Sequence, residues 1–222
     1  MGQVQTSVSG FTEYHKIDTL FERDTETFVV NPAVLRKPVI GTIRKWQVTE
    51  KIDGTNIRVM LSKEGNVTFG GRSNNAQVPG DLLLKLFELF PRDKVQDVFW
   101  KDGIPVEAIL FGEGYGAGIQ KGGAYRPDKG FILFDVLVDG RWWLDWNDVV
   151  DVSERLKIPL VPMLGVWTLD QIVEHVRIPF ASMIGTGVAE GIVARPIETL
   201  FDKRMERLIV KLKTKDFLGS KR

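Results

Sequence analysis

Cysteine is absent from all 222 residues, which excludes a disulfide framework and every thiolate metal site. Two histidines occur, His15 and His175. They are too few for a histidine-built metal cage, and no chemistry is assigned to either. No stretch approaches the run of about 18 apolar residues that a transmembrane helix requires. Residues 1–9 are polar and lack the basic-then-apolar order of a secretory leader. An excess of one charge is also missing. The 30 Lys+Arg and 29 Asp+Glu leave a net charge of +1, which argues against a chain that coats nucleic acid by bulk charge but allows a local basic groove. There is no internal repeat and no low-complexity tract. The expectation is an intracellular, cytoplasmic globular protein.

What is present is a sequence of short strands with helices inserted. Residues 46–49, 57–61 and 67–69 read as three strands of a meander, with Glu64-Gly65-Asn66 as the second turn. Leu82, Leu83, Leu86, Phe87 and Phe90 recur at helical spacing behind Asp81, a candidate cap. Val95, Val98 and Phe99 suggest a second helix. Residues 106–111 and 131–138 read as strands, 144–156 and 169–176 as helices, and 191–194 and 208–212 as late strands. Meanders interrupted by helices imply an α+β fold rather than an alternating parallel α/β one. No domain boundary stands out, so residues 1–222 are expected to form a single domain with residues 1–40 as an extension packed on it.

The chemistry concentrates at strand ends. Glu50-Lys51-Ile52-Asp53-Gly54-Thr55-Asn56 places a lysine beside a carboxylate, a glycine and small polar residues. A lysine amine can attack phosphorus and hold a nucleotide as a phosphoramide. A free lysine, with a reference pKa of roughly 10.4, does so only where burial or neighbouring cations favour the neutral amine. Further along come Gly70-Gly71-Arg72-Ser73, Phe111-Gly112-Glu113, Phe134-Asp135, Glu190-Gly191 and Lys211-Leu212-Lys213. Lys211 and Lys213 share one strand face, because side-chain direction repeats every two residues. Taken singly, each has a bland reading: surface cations for Lys51, Arg72, Lys211 and Lys213, core for Phe134, a turn for Glu190. Gly112 to Gly118 is glycine-rich, but no GK[ST] element follows. A mobile loop is expected there, and Trp142, Trp143 and Trp146 are expected in the core.

In order and type these segments resemble the covalent-lysine nucleotidyltransferases, the ATP-dependent polynucleotide ligases and mRNA capping enzymes. Within that superfamily they look most like RNA ligases, including those of bacteriophages. DNA ligases typically carry arginine where this chain has Asn56. The resemblance spans roughly residues 14–217 and implies an adenylyltransferase domain of two antiparallel sheets flanked by helices, with the nucleotide in the groove between them. It implies that Lys51 attacks the α-phosphate of ATP and holds AMP. AMP then passes to an RNA 5′-phosphate and is displaced by a 3′-hydroxyl. Glu50 would lie beside the adenine, Phe134 would stack on it, and Glu113 would accept from ribose hydroxyls, with Asn56 also at the nucleotide. Arg72 would grip ribose or the phosphate of the end being joined. Glu190, supported by Asp135, would hold Mg²⁺ or Mn²⁺, and Lys211 and Lys213 would contact the α-phosphate. Lys121 and Arg126 are candidates for a nucleic-acid backbone.

Many relatives continue into an OB-fold or a helical domain, whereas residues 214–222 are too few to build one. That leads to the expectation that sealing needs a helper protein, a domain supplied in trans, or ends held together as in a nicked duplex. The rival readings are a DNA ligase or GTP-using guanylyltransferase of the same superfamily, and a non-catalytic nucleotide- or nucleic-acid-binding module.

Overall fold

The computed structural model describes residues 12–27 and 29–217. In chain order the strands are β1 (Asp18–Thr19), β2 (Phe21–Arg23), β3 (Val30–Leu35), β4 (Trp46–Glu50), β5 (Thr55–Leu61), β6 (Val67–Gly70), β7 (Ala108–Gly116), β8 (Lys129–Val138), β9 (Trp142–Trp143), β10 (Met163–Trp167), β11 (Gly191–Pro196) and β12 (Val210–Lys213). The helices are α1 (Gly80–Leu89), α2 (Arg92–Phe99), α3 (Trp146–Leu156) and α4 (Leu169–Arg177). The chain divides into two compact units. One takes residues 12–14 and Asp53–Leu160, and the other takes His15–Ile52 and residues 161–217. The fold is α+β. Among the described residues no helix is long and apolar enough to cross a membrane.

The first unit is built on an antiparallel sheet in the order β6-β5-β7-β8-β9. Alternation along β5 sends Ile57, Val59 and Leu61 to one face, where they meet Leu110, Phe131, Leu133 and Val136 in a common core. Leu82 and Leu86 of α1 and Val149, Val152 and Leu156 of α3 close over it, all buried. Asp145 caps α3 by accepting the Asp148 N–H at 3.0 Å. The cap expected of Asp81 is not formed. Pro79 occupies the cap position of α1, and Asp81 sits inside the first turn, where its carboxylate accepts the Leu82 N–H.

The glycine-rich stretch also departs from expectation. Gly112 to Gly116 do not form a loop but complete β7, paired to β8 throughout and to β5 as far as Gly114. Glycine serves packing here. A Cβ on Gly112 would lie 2.2 Å from the Phe131 ring and 2.5 Å from the Ile132 carbonyl oxygen. One on Gly114 would lie 2.5 Å from Leu82.

The second unit carries a sheet in the order β1-β12-β11-β4-β10. Its β1–β12 pair is parallel, so this sheet is mixed rather than wholly antiparallel. Trp46 and Val48 of β4, Ile192 and Ala194 of β11, and Val210 and Leu212 of β12 share one face. Ile172 and Val176 of α4 cover that face, as do Leu20, Phe21 and Val30 from the β1–β3 region. Thr168 and Gln171 form a reciprocal capping box at the start of α4.

The expected three-strand meander therefore breaks at its first member. β4 pairs with β10 and β11, while β5 and β6 belong to the other sheet. The cause is Ile52-Asp53-Gly54, which interrupts pairing. A Cβ on Gly54 would come within 2.3 Å of the Gly114 carbonyl oxygen. Strand β10 carries no plain alternation, because a register shift between Met163 and Gly165 disrupts it. Replacing Gly112 with alanine should destabilise the protein by about 1–3 kcal/mol through overpacking. Chemical denaturation would read this as a lower midpoint at unchanged slope, and an unchanged midpoint would contradict the packing role.

Candidate active site

Lys51 follows the last residue of β4, and its backbone N–H donates to the Gly191 carbonyl at 2.9 Å. On the other side Gly191 is paired with Lys213 in the β11–β12 ladder. Lys51, Gly191 and Lys213 thus form one row across three strands. The middle position must be glycine. Its φ is +152°, and a Cβ there would lie 2.2 Å from the Leu212 carbonyl oxygen and 2.6 Å from the Lys213 Cα.

The preceding residue, Glu190, sends its carboxylate between the two lysines. Lys51 Nζ donates to Glu190 Oε2 at 2.5 Å, and Lys213 Nζ is paired with Glu190 Oε1. The Glu190 side chain is 13% exposed. Burial pushes its carboxyl upward, but the charges and hydrogen bonds of Lys51 and Lys213 outweigh burial and hold it below its usual range. The row thus collects two cations and one anion at the sheet surface. That arrangement suits a phosphate, which can take over the ammonium donors.

The face behind this row is anchored from elsewhere. Glu50 points opposite to Lys51 and is 1% exposed. Its carboxylate accepts the Ser182 hydroxyl at 2.5 Å and the Met183 N–H at 2.8 Å. Lys211 and Lys213 are both half-buried, alternating with the buried Val210 and Leu212. Asp216 is fully buried. It accepts Arg23 at 2.7 Å and the Lys213 N–H at 2.9 Å, which ties down the end of β12.

In the other unit, Asn56 and Glu113 face each other across β5 and β7. The side-chain oxygen of Asn56 is buried with no hydrogen-bond partner among the described residues. Asp53 donates its N–H to the Tyr125 hydroxyl at 3.1 Å. Phe134 is half-buried at the register shift where β8 has an extra residue opposite β7. Its ring meets Tyr14 edge-on, with centroids 5.1 Å apart. Asp135 is fully buried. Its Oδ2 accepts the Tyr14 hydroxyl at 2.8 Å and its Oδ1 accepts the Val136 N–H. Arg72 and Lys121 are exposed. Arg126 is held by two 2.7 Å bonds to Asp128. Of the tryptophans, Trp142 is not core as expected. It is 58% exposed, with Arg141 over its ring.

The predicted residues therefore fall into two sets. Glu50, Lys51, Glu190, Lys211 and Lys213 belong to the second unit, and Asn56, Arg72, Glu113, Lys121, Arg126, Phe134 and Asp135 to the first. Ser182, Tyr14 and Tyr125 could not be found by motif, since Ser182 lies 132 residues from Glu50 and Tyr14 lies 121 from Asp135.

A family model for RNA ligases matches residues 44–213, most of the chain. The chain belongs to the RNA ligase family. Its fold is similar to that of Naegleria gruberi RNA ligase with PPi, at a TM-score of 0.65 and 17% identity, over 98% of this chain and 63% of that one. A lysine-to-alanine variant of the same RNA ligase with ATP and Mn matches at 0.65 and 18%, over 94% of this chain and 62% of that one. Another such variant with ATP and Mn matches at 0.62 and 19%, over 82% and 53%. The chain thus spans little more than half to three fifths of the length of these structures. Comparison with curated protein sequences gives no match.

The ion-pair row makes a pH prediction within this RNA ligase fold. A carboxyl held below its ordinary value of 4.5 contributes stability above that pH and loses it as pH falls through the folded value. Glu190→Gln should therefore be less stable than the parent at pH 7. The two stabilities should converge as the medium is acidified, roughly from pH 5 toward 3. Denaturation midpoints measured across that range check it, and a gap independent of pH would contradict the ion-pair assignment.

Proposed function

We propose that this chain is an ATP-dependent RNA ligase that works through a lysyl-AMP intermediate on Lys51. The observation that carries the reading is the Lys51–Glu190–Lys213 row in a chain of this family. Lys51 Nζ, its ammonium proton given up to solvent, attacks the α-phosphorus of ATP; a P–N bond forms, a second N–H proton is released and the bond to pyrophosphate breaks. An RNA 5′-phosphate oxygen then displaces the lysine, and a 3′-hydroxyl finally displaces AMP to give the phosphodiester. The Naegleria structures with ATP, AMP and Mn support this choice of nucleotide and of a divalent ion.

Phosphoryl transfer spreads negative charge over the phosphate oxygens, so positioned cations are the main source of catalysis. Lys211 and Lys213 supply them from one strand face. Glu190 pairs with both Lys51 and Lys213, leaving the row one positive charge in excess. An incoming triphosphate competes for the Lys213 ammonium, and Lys51 reacts as the neutral amine.

The residues also fit a divalent ion, within limits. Among the described residues no three His, Cys, Asp or Glu side chains gather. Magnesium commonly binds through one or two carboxylates, with phosphate oxygens and water completing its shell. Glu190 would hold such an ion, which would neutralise phosphate charge. Asp135 is engaged by Tyr14 and is better read as support for the sheet beneath Phe134. In the other unit, the Asn56 oxygen, unpartnered among the described residues, and the neighbouring Glu113 offer acceptors for a ligand's hydroxyl or amino groups. Phe134 offers a half-buried aromatic face, and Arg72, Lys121 and Arg126 are cations for the RNA ends. The substrates are RNA 5′-phosphate and 3′-hydroxyl ends, encountered inside the cell and joined at a nick or with help supplied in trans.

Intact-protein mass spectrometry after incubation with ATP and Mg²⁺ tests this directly. The parent should gain the mass of one AMP, with no GMP gained from GTP and no gain in Lys51→Ala. Lys211→Ala should slow the gain by on the order of 10²-fold or more, as for other lost transition-state donors. A folded parent that gains nothing, or a Lys51→Ala variant that still labels, would overturn the assignment.

A further inference from the structure

Arg58 is an arginine in the middle of a sheet strand, fully buried, and no motif includes it. It lies on the face of β5 opposite Ile57 and Val59, paired with Gly70 of β6 and Phe111 of β7. Burial lowers its pKa, with the charge of Glu13 acting against that shift. A buried guanidinium is costly unless its N–H groups find acceptors, so where those bonds go shows what the burial accomplishes. Nε donates to the Gly71 carbonyl at 2.8 Å, and Nη2 donates to Asn74 Oδ1 at 3.0 Å. Nη1 reaches the Thr12 carbonyl at 3.4 Å.

Two of these acceptors flank Arg72-Ser73. The loop is held at other points too. Asn74 donates its N–H to Glu13, and Ala76 donates its N–H to Ser73. Gly71 packs so closely on Ala76 that a Cβ would come within 2.7 Å of the alanine Cβ. Gly70 keeps the path of the guanidinium open, since a Cβ there would lie 3.3 Å from Nη2. Arg72 itself is exposed and makes no hydrogen bond or ion pair among the described residues.

We infer that Arg58 is a positioning residue for Arg72. Its planar fork holds the Gly71 carbonyl on one side of that residue and the Asn74 side chain on the other, so that the Arg72 guanidinium is presented to the nucleic-acid or nucleotide phosphate without first ordering a loop. The role of Arg72 rests on the ligase reading above, but the stitching of the loop does not, and the two can be tested separately. A lysine cannot replace the fork, because an ammonium is a point donor that does not span two separated acceptors in one plane.

Native-state trypsin digestion reads the loop without any activity. In Arg58→Met and Arg58→Lys, cleavage of the Arg72–Ser73 bond should accelerate by about tenfold or more relative to cleavage after the exposed Arg204, the mark of local opening. Gly70→Ala should do the same more weakly. Equal acceleration at both sites, or none, would overturn the inference by showing that Arg58 only supports the fold. Should Arg58→Met fail to fold, Arg58→Lys and Gly70→Ala carry the test. Where the parent proves to label with AMP and join ends, a second arm applies. Arg58→Met should slow the same step as Arg72→Ala, and the double variant should be no slower than the slower single one. Losses that multiply, or that fall on different steps, would overturn the positioning role. A parent without ligase activity would defeat the function proposed above and leave the proteolysis result to decide this one.

Discussion

The shared carboxylate of Glu190 is the interaction on which the rest of the second unit's chemistry depends. Two ammonium groups would repel each other across Gly191, and Glu190 between them turns that repulsion into a stable row. Three features follow from this need. Gly191 must lack a side chain so that the row can close. Asp216 and Arg23 tie down the backbone of Lys213 from a buried position. Glu50, which ends β4, is turned to the opposite face and bound by Ser182 and Met183, so it does not compete for the same ammoniums. Attraction to a flanked carboxylate is strong where water is largely excluded, and a phosphate bearing more charge offers the same donors a better partner.

The first unit solves a different problem, that of holding polar groups on a sheet face without letting them pair away. Arg58 is turned inward toward the Gly71 carbonyl and the Asn74 side chain, and Asp135 is satisfied by Tyr14. Asn56 keeps an unpartnered oxygen and Arg72 remains exposed. Arg58 and Asp135 are thus satisfied within the unit, whereas the buried Asn56 oxygen is not, among the described residues.

Much of this was legible in the sequence because the relevant signals are local. Alternation in β12 marks the face that carries Lys211 and Lys213, and the spacing of Leu82 and Leu86 marks α1. The expectations that failed did so where a long-range contact overrode a local cue. Gly112 to Gly116 read as a loop because glycine favours turns, yet these residues are strand because Phe131, Ile132 and Leu82 leave no room for a Cβ. Residues 46–49 read as the first strand of a meander because they precede another strand closely, yet their partners are 114 or more residues later, in β10 and β11. Asp81 read as a cap by residue type, while Pro79 holds that position.

By itself the sequence determined the inventory: an α+β chain without thiols, with one lysine in a KxDG setting and a later pair of lysines on one strand face. Those are properties of composition, period and spacing, which the chain carries before it folds. Only the tertiary structure decided which of these groups meet. Pairing of β4 with β11 and of β11 with β12 put Lys51, Glu190 and Lys213 in contact across a span of 162 residues. The same folding parted Lys51 from Asp53, two residues away, into different compact units. Strand pairing is set by hydrogen-bond register and by the burial of whole faces. Neither quantity is contained in the few residues of a motif.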